Sequence, residues 1–150
     1  MGQYIAFVLF IITYITLEAA YFSVSIQHHK KHFADIQCVT PEKLEFNLFP
    51  YGILAYFILV LSMWYLIFDN GRMLQHGTYS DIMQKSTMYA LVAYTTYNLT
   101  NMVVLRKYRL DMLVIDSLWG IFVVNMSTTL VFFLYRHLWK NKKAIDFPEI

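Results

Sequence analysis

Glu18, Asn98, Asn101 and Asp116 stand in stretches of sequence that are otherwise apolar enough to sit in lipid. The densest of these polar segments is YTTYNLTN, residues 94–101, with two tyrosines, three threonines and two asparagines in eight positions. A side-chain polar group taken out of water costs free energy unless it finds a partner. An ionisable residue inside a membrane span is therefore a functional hypothesis by default. A carboxylate there can bind a proton, hold an ion, or do acid–base work on a substrate. Glu18 is expected to be the titrating group, with Asp116 as a second acid or the anchor of a basic rim. Tyr94, Tyr97, Asn98 and Asn101 form the expected hydrogen-bonding wall, with Trp119 sharing a face with Asp116. The bland alternative is that Ser, Thr and Asn only glue helices together, at about 0.6 kcal/mol per hydrogen bond. The threonines are read that way.

Something must position these groups. Hydrophobic residues make up 58% of the 150-residue chain and charged residues 15%, against roughly 45–50% and about 25% in an ordinary soluble domain. The apolar residues are blocked together. Residues 46–68, 86–105 and 117–135 contain no charge, and up to Gln27 the only acid or base besides tyrosine is Glu18. A charge-poor apolar run of about 18 residues or more is a transmembrane helix signal, and there are four. The expected fold is all-α: an integral membrane, antiparallel up-down four-helix bundle in a single domain. Its helices should cover about 4–25, 47–68, 82–105 and 112–136, with a basic tail over 137–150. The first run lacks a basic leader and outlasts a signal-peptide core, so it reads as a span rather than a cleaved signal. Gly2 lacks the Ser or Thr at position 6 of a myristoylation motif, since Ala6 stands there.

Connections carry their own signals. Thr40 and Pro41 suit the start of a short helix. Asp69-Asn70-Gly71 reads as a turn, and Ser80-Asp81 as the start of the third helix. The short link RKYRLD makes the last two helices antiparallel neighbours. Four spans put both termini on one side, but counting Lys and Arg does not say which. Arg72, Lys85, Arg136, Lys140, Lys142 and Lys143 fall on one side, and Lys30, Lys31, Lys43, Arg106, Lys107 and Arg109 on the other. The second is called the RKYR side below.

Depth follows from the helical rise of 1.5 Å per residue. Asp116 should lie roughly 6 Å inside the RKYR side, Asn98 and Asn101 roughly 6–10 Å, and Glu18 roughly 10 Å, with Tyr51 at a comparable level. At 100° per residue, Tyr94, Tyr97, Asn98 and Asn101 share a stripe of helix three. Asp116, Trp119, Gly120, Val123 and Ser127 share one of helix four, and Tyr14, Glu18, Tyr21 and Ser25 one of helix one. A polar site is thus expected within the bundle, near one mouth.

Other features exclude classes. A net charge of +2 without a basic run gives no nucleic-acid partner. The single cysteine, Cys38, allows neither an intramolecular disulfide nor a Cys-based zinc site. His28 and His32 are spaced i,i+4 with Asp35 beyond, but without a firm third ligand they read as interfacial residues, and no metal is expected. The sequons at Asn98 and Asn125 fall within apolar spans. No phosphate-binding loop, nucleophile elbow or zinc-protease motif occurs, and no cofactor is expected.

Residues 90–120, ALVAYTTYNLTNMVVLRKYRLDMLVIDSLWG, closely resemble the signature of the membrane proteins grouped as domain of unknown function 2177. That pattern runs Gly/Ala-Leu-Val-Ala-Tyr-x-Thr-Tyr-Asp-Leu-Thr-Asn, a short link, then Val-Asp-x-x-Trp-Gly. Tyr94, Thr96, Tyr97, Leu99, Thr100 and Asn101 match it, as do Asp116, Trp119 and Gly120. The first helix is similar more loosely, with Glu18 and Tyr21 where the family tends to have Asp and Trp. The family's usual Asp in helix three is Asn98 here, which removes one titratable group. The resemblance implies a small four-helix membrane protein and supplies no activity.

Three functions compete. The first is a carrier, channel-like or sensor protein whose pocket binds a proton, ion or small solute, working as a homodimer because four helices enclose little space. The second is an enzyme on a lipid or isoprenoid substrate, with two carboxylates for acid–base chemistry and no identifiable nucleophile. The third is a structural or assembly component of a cellular or viral membrane. The lipid bilayer is the partner common to all three.

Overall fold

The computed structural model describes residues 2–44 and 49–140, and the regular structure among them is entirely helical. Helix α1 runs Gly2–Gln37, 36 residues, or roughly 54 Å. It was expected to stop near Ser25, where the apolar stretch gives way to histidines and lysines. The helix does not stop there, because no Gly or Pro interrupts residues 3–37 and charged residues are good helix formers. It ends instead at Cys38, whose φ of 57° takes the left-handed position that usually falls to glycine after a helix. The Val39 amide turns back to the Ala34 carbonyl (3.0 Å).

A single 3₁₀ turn, Pro41–Lys43, follows, with proline at its start as expected and no capping bond from the Thr40 side chain. Helix α2 covers Phe49–Leu66; its expected start at Asn47 lies outside the described residues. Asp69, Asn70 and Gly71 take φ of 48°, 52° and 89°, the three-residue reversal that the Asp-Asn-Gly run predicts. A short helix α3, Arg72–His76, leads to α4, Tyr79–Ala90. The cap of α4 is Thr78 rather than Ser80. Its hydroxyl accepts from the Asp81 amide while the Asp81 carboxylate accepts from the Thr78 amide, a reciprocal capping box. One π-helical turn, Leu91–Thr95, joins α4 to α5, Thr96–Val104. The turn Leu105–Arg109 then leads to α6, Leu110–Tyr135, 26 residues. A π turn, Arg136–Lys140, follows; positions 141–150 of the expected tail lie outside the described residues.

Helix α6 packs against both α1 and the α4–α5 rod. Contacts between α6 and the rod run in opposite senses: Tyr79 meets Thr129, Ser86 meets Asn125, and Asn98 meets Ser117. On the other flank Glu18 meets Trp119 and His28 meets Asp111. Phe10, Tyr14, Met63, Ile67, Phe68, Ile82, Val123 and Val124 fill the core. Phe10 packs edge-on to Phe68, and Phe7 tilts against Trp64. Beyond α6, Arg136 donates to the Gly77 carbonyl and lies over the Phe132 ring, tying that end to the α3–α4 turn. Helix α1 and the span Leu110–Leu138 are each long and apolar enough to cross a membrane.

Candidate functional site

Among the described residues the most buried acid is Glu18, 6% exposed. Its carboxylate accepts from Tyr94 Oη (3.1 Å), Trp119 Nε1 (3.4 Å) and Tyr56 Oη (3.5 Å). The Tyr94 hydroxyl also bonds to the Tyr14 hydroxyl. Since the one hydrogen of Tyr94 is directed at Glu18, Tyr14 is the donor in that pair. The acid is thus held from three helical segments by neutral donors, and no ion pair to Glu18 occurs among the described residues.

Tyr94 reaches this position through two local devices. It sits in the π turn, a feature found mostly as single turns and often at functional sites. Its ring also occupies the space above Gly120, where any Cβ would overlap the ring. The matching of Glu18 with Tyr94 and Trp119 also corrects the depth. Those residues lie roughly 14–15 Å in from the Val104 and Leu110 ends, deeper than a first helix ending at Ser25 implied. Glu18 belongs to the middle of the helix cluster rather than its mouth.

Asp116 has different neighbours. Tyr21 Oη donates to its Oδ1 (3.0 Å), and His29 Nε2 lies 3.2 Å from the same oxygen. No Lys or Arg among the described residues lies within ion-pair distance of it, so the basic rim weighed as one alternative does not form there. Arg109 is engaged by Asp111, two positions along the chain, at 3.0 and 2.6 Å, while Asp116 sits more than a turn deeper and faces α1. Tyr21 stacks flat on Trp119, with ring centroids 4.4 Å apart and planes at 9°. One aromatic pair therefore touches both acids.

Asn98, 1% exposed, donates to the Tyr94 carbonyl (2.9 Å) and reaches Ser117 Oγ (3.4 Å), and it accepts from the Tyr108 hydroxyl. Asn101 is half-buried one turn nearer the mouth. Tyr97 does not join the wall. It is 62% exposed, because it lies about 100° round the helix from Asn98. Tyr51, expected level with Glu18, is likewise exposed, and α2 contributes Tyr56 instead, about 140° further round the same helix. Of the site residues expected from sequence, Glu18, Tyr94 and Trp119 come together directly. Asp116 joins through Tyr21, and Asn98 through the Tyr94 backbone.

Tyr14 and Tyr21 were not counted among the site residues, and Tyr56 and His29 were not singled out. Tyr14 and Tyr21 stand on the Glu18 stripe and were legible there. His29 needed the recognition that α1 continues beyond Ser25. Tyr56 has no sequence signal, because its level depends on where α2 begins. His28 and His32 do not act together: His28 lies 3.9 Å from Asp111, and His32 is buried with neither ring nitrogen bonded to protein. Among the described residues no three His, Cys, Asp or Glu side chains converge to hold a metal.

These observations define an all-helical protein with two membrane-length apolar helices and a buried polar centre. Residues 3–133 match the family described as predicted membrane protein, domain of unknown function 2177, and the chain belongs to that family. No curated protein and no solved structure matches it.

Proposed function

We propose that the chain crosses the membrane four times, as an antiparallel up-down bundle, and binds a proton or small cation at Glu18. The supports for four spans are α1, α6, the apolar α2 and the α4–α5 rod, which at roughly 39 Å exceeds a hydrocarbon core of about 30 Å. Large apolar side chains point outward on all four, among them Ile12, Ile58, Val92 and Phe122, as lipid-facing surfaces require. In this reading the RKYR turn, Leu105–Arg109, and the 26–44 segment stand at one membrane face, and α3 stands at the other. Cysteine labelling in intact cells tests it in a Cys38→Ser background. Gly2→Cys and Lys107→Cys should label from opposite sides, and labelling from the same side would refute four spans.

The observation that carries the proton or cation reading is the coordination of Glu18. Three aromatic side chains, Tyr94, Trp119 and Tyr56, direct hydroxyl or indole hydrogens toward one buried acid, with no basic residue among the described ones paired to it. Such an acid is completed by a positive charge of external origin, and a proton is the smallest. Helix α5 offers only the neutral amide of Asn98 at this site, so the titrating work falls to Glu18. A homodimer would supply the additional wall that transport of anything larger requires. Reconstitution into vesicles loaded with a pH-sensitive dye tests the reading. Under an imposed potassium diffusion potential, wild-type vesicles should change internal pH faster than Glu18→Gln vesicles, and equal rates would contradict it.

A further inference from the structure

His29 is 6% exposed on α1, and its two ring nitrogens face different acceptors. Nδ1 lies 3.0 Å from the Ser25 carbonyl oxygen. A carbonyl only accepts, so Nδ1 carries a hydrogen. Nε2 lies 3.2 Å from Asp116 Oδ1. In a neutral imidazole with its hydrogen on Nδ1, Nε2 is a bare lone pair, and an ionised carboxylate also only accepts. Two acceptors would then face each other at hydrogen-bond distance in a half-buried place. One additional hydrogen between them removes the conflict and turns the contact into a charge-assisted bond.

We propose that His29 and Asp116 form a second proton-binding site, in which a single proton is held between imidazole and carboxylate. The proton rests on Nε2, where it makes a charge-assisted bond to the carboxylate.

The neighbours leave this assignment without a competitor. On α1, the Tyr21 hydroxyl donates to the same Asp116 oxygen, and His28 is directed at Asp111. His32 has no bonding partner at either nitrogen and lies edge-on to Tyr108. In the turn before α6, Tyr108 gives its hydrogen to Asn98, and Arg109 is held by two bonds to Asp111. On α2, Tyr56 bonds Glu18. Among the described residues, His29 is the one cationic group within ion-pair distance of Asp116. The pair adjoins the Glu18 site through the Tyr21–Trp119 stack but shares no hydrogen bond with it. The inference therefore goes beyond the reading of Glu18 and stands whatever Glu18 binds.

The test uses the full chain in lipid nanodiscs with ¹⁵N-labelled histidine, observed through long-range ¹H–¹⁵N correlations at about pH 7.5, one unit above the ordinary histidine value. His29→Gln assigns the resonance. Wild-type His29 should show hydrogen on both ring nitrogens. In Asp116→Asn, whose amide can itself donate to Nε2, His29 should revert to the neutral form with hydrogen on Nδ1 alone. A wild-type spectrum in which Nε2 is unprotonated at that pH would overturn the proposal. So would a doubly protonated His29 that persists in Asp116→Asn, since the charge would then owe nothing to the carboxylate.

Discussion

Around Asn125 the hydrogen-bonded side chains are neutral and bond to one another, while Ser127 and Thr128 further along α6 are buried without a hydrogen-bond partner. Ser86 and Thr87 of α4 donate to its side-chain oxygen at 2.5 and 3.0 Å, and its amide returns a bond to the Ile121 carbonyl. One turn away Ser62 and Tyr89 tie α2 to α4. Around Glu18 and Asp116, toward the opposite end, α1, α2, α6 and the π turn bring tyrosines, an indole and an imidazole to two carboxylates. The first network is built only from neutral groups. The second contains acids whose balance of hydrogens changes with protonation, and it sits where a π turn and a glycine have adjusted the packing to admit Tyr94. Polar side chains in apolar helices thus do two jobs in one molecule. What separates the jobs is whether the cluster contains a group that can change charge.

The largest effect should come from removing the adjustment. Gly120→Val places side-chain atoms where the Tyr94 ring lies. Overpacking of this kind costs about 1–3 kcal/mol and occasionally more. Thermal unfolding in detergent should show the loss, and proton flux should fall as well because Tyr94 is pushed from Glu18. Unchanged stability would mean that the ring can move aside freely.

Next in size is the contrast between the two clusters. Glu18→Ala leaves Tyr94, Tyr56 and Trp119 without their acceptor, a loss of about 1–3 kcal/mol if the donors stay buried. Glu18→Gln should recover most of that stability while still abolishing proton binding. Asn125→Ala removes two interhelical hydrogen bonds at about 0.6 kcal/mol each and should leave flux intact. Chemical denaturation and the vesicle assay measured on the same three variants decide the matter. Loss of flux in Asn125→Ala would erase the distinction between the regions.

The smallest effect lies outside both clusters. The Thr78 hydroxyl and amide hold the Asp81 carboxyl below the usual aspartate range. A depressed value in the folded state gives stabilisation that is present above the ordinary range and lost as pH falls through the folded value. Amide hydrogen exchange over residues 79–82, corrected for the intrinsic rate, should therefore lose protection in acid below about pH 4, and Asp81→Asn should lose that dependence. Protection independent of pH would remove the capping box from the account.

Much of this arrangement was legible in the chain. Charge-free runs marked the apolar helices, the Asp-Asn-Gly turn fell where it was expected, and Glu18 stood out as the one acid in its stretch. The 3.6-residue stripe set Tyr94, Asn98 and Trp119 on inward faces, where their side chains make bonds within the helix cluster, whereas Tyr97 on the same stripe is exposed. Hydropathy, however, marks where a helix leaves apolar surroundings, not where it ends. Reading α1 as finished at Ser25 hid His29 and set Glu18 too shallow. The π turn carries no Gly or Pro to announce it, since its cause is tertiary: the fit of the Tyr94 ring over Gly120. A basic rim was one of two expectations for Asp116, yet Arg109 is taken by Asp111, the nearer acid along the chain.

The central claim is that the buried Glu18 is the group that gains and loses a proton in the middle of the helices. Infrared difference spectroscopy of the protein in lipid, followed through a pH titration, addresses it directly. The account predicts a titrating carboxyl band that is present in wild type, retained in Asp116→Asn and missing in Glu18→Gln. A set of titrating carboxyl bands identical in wild type and Glu18→Gln would contradict it.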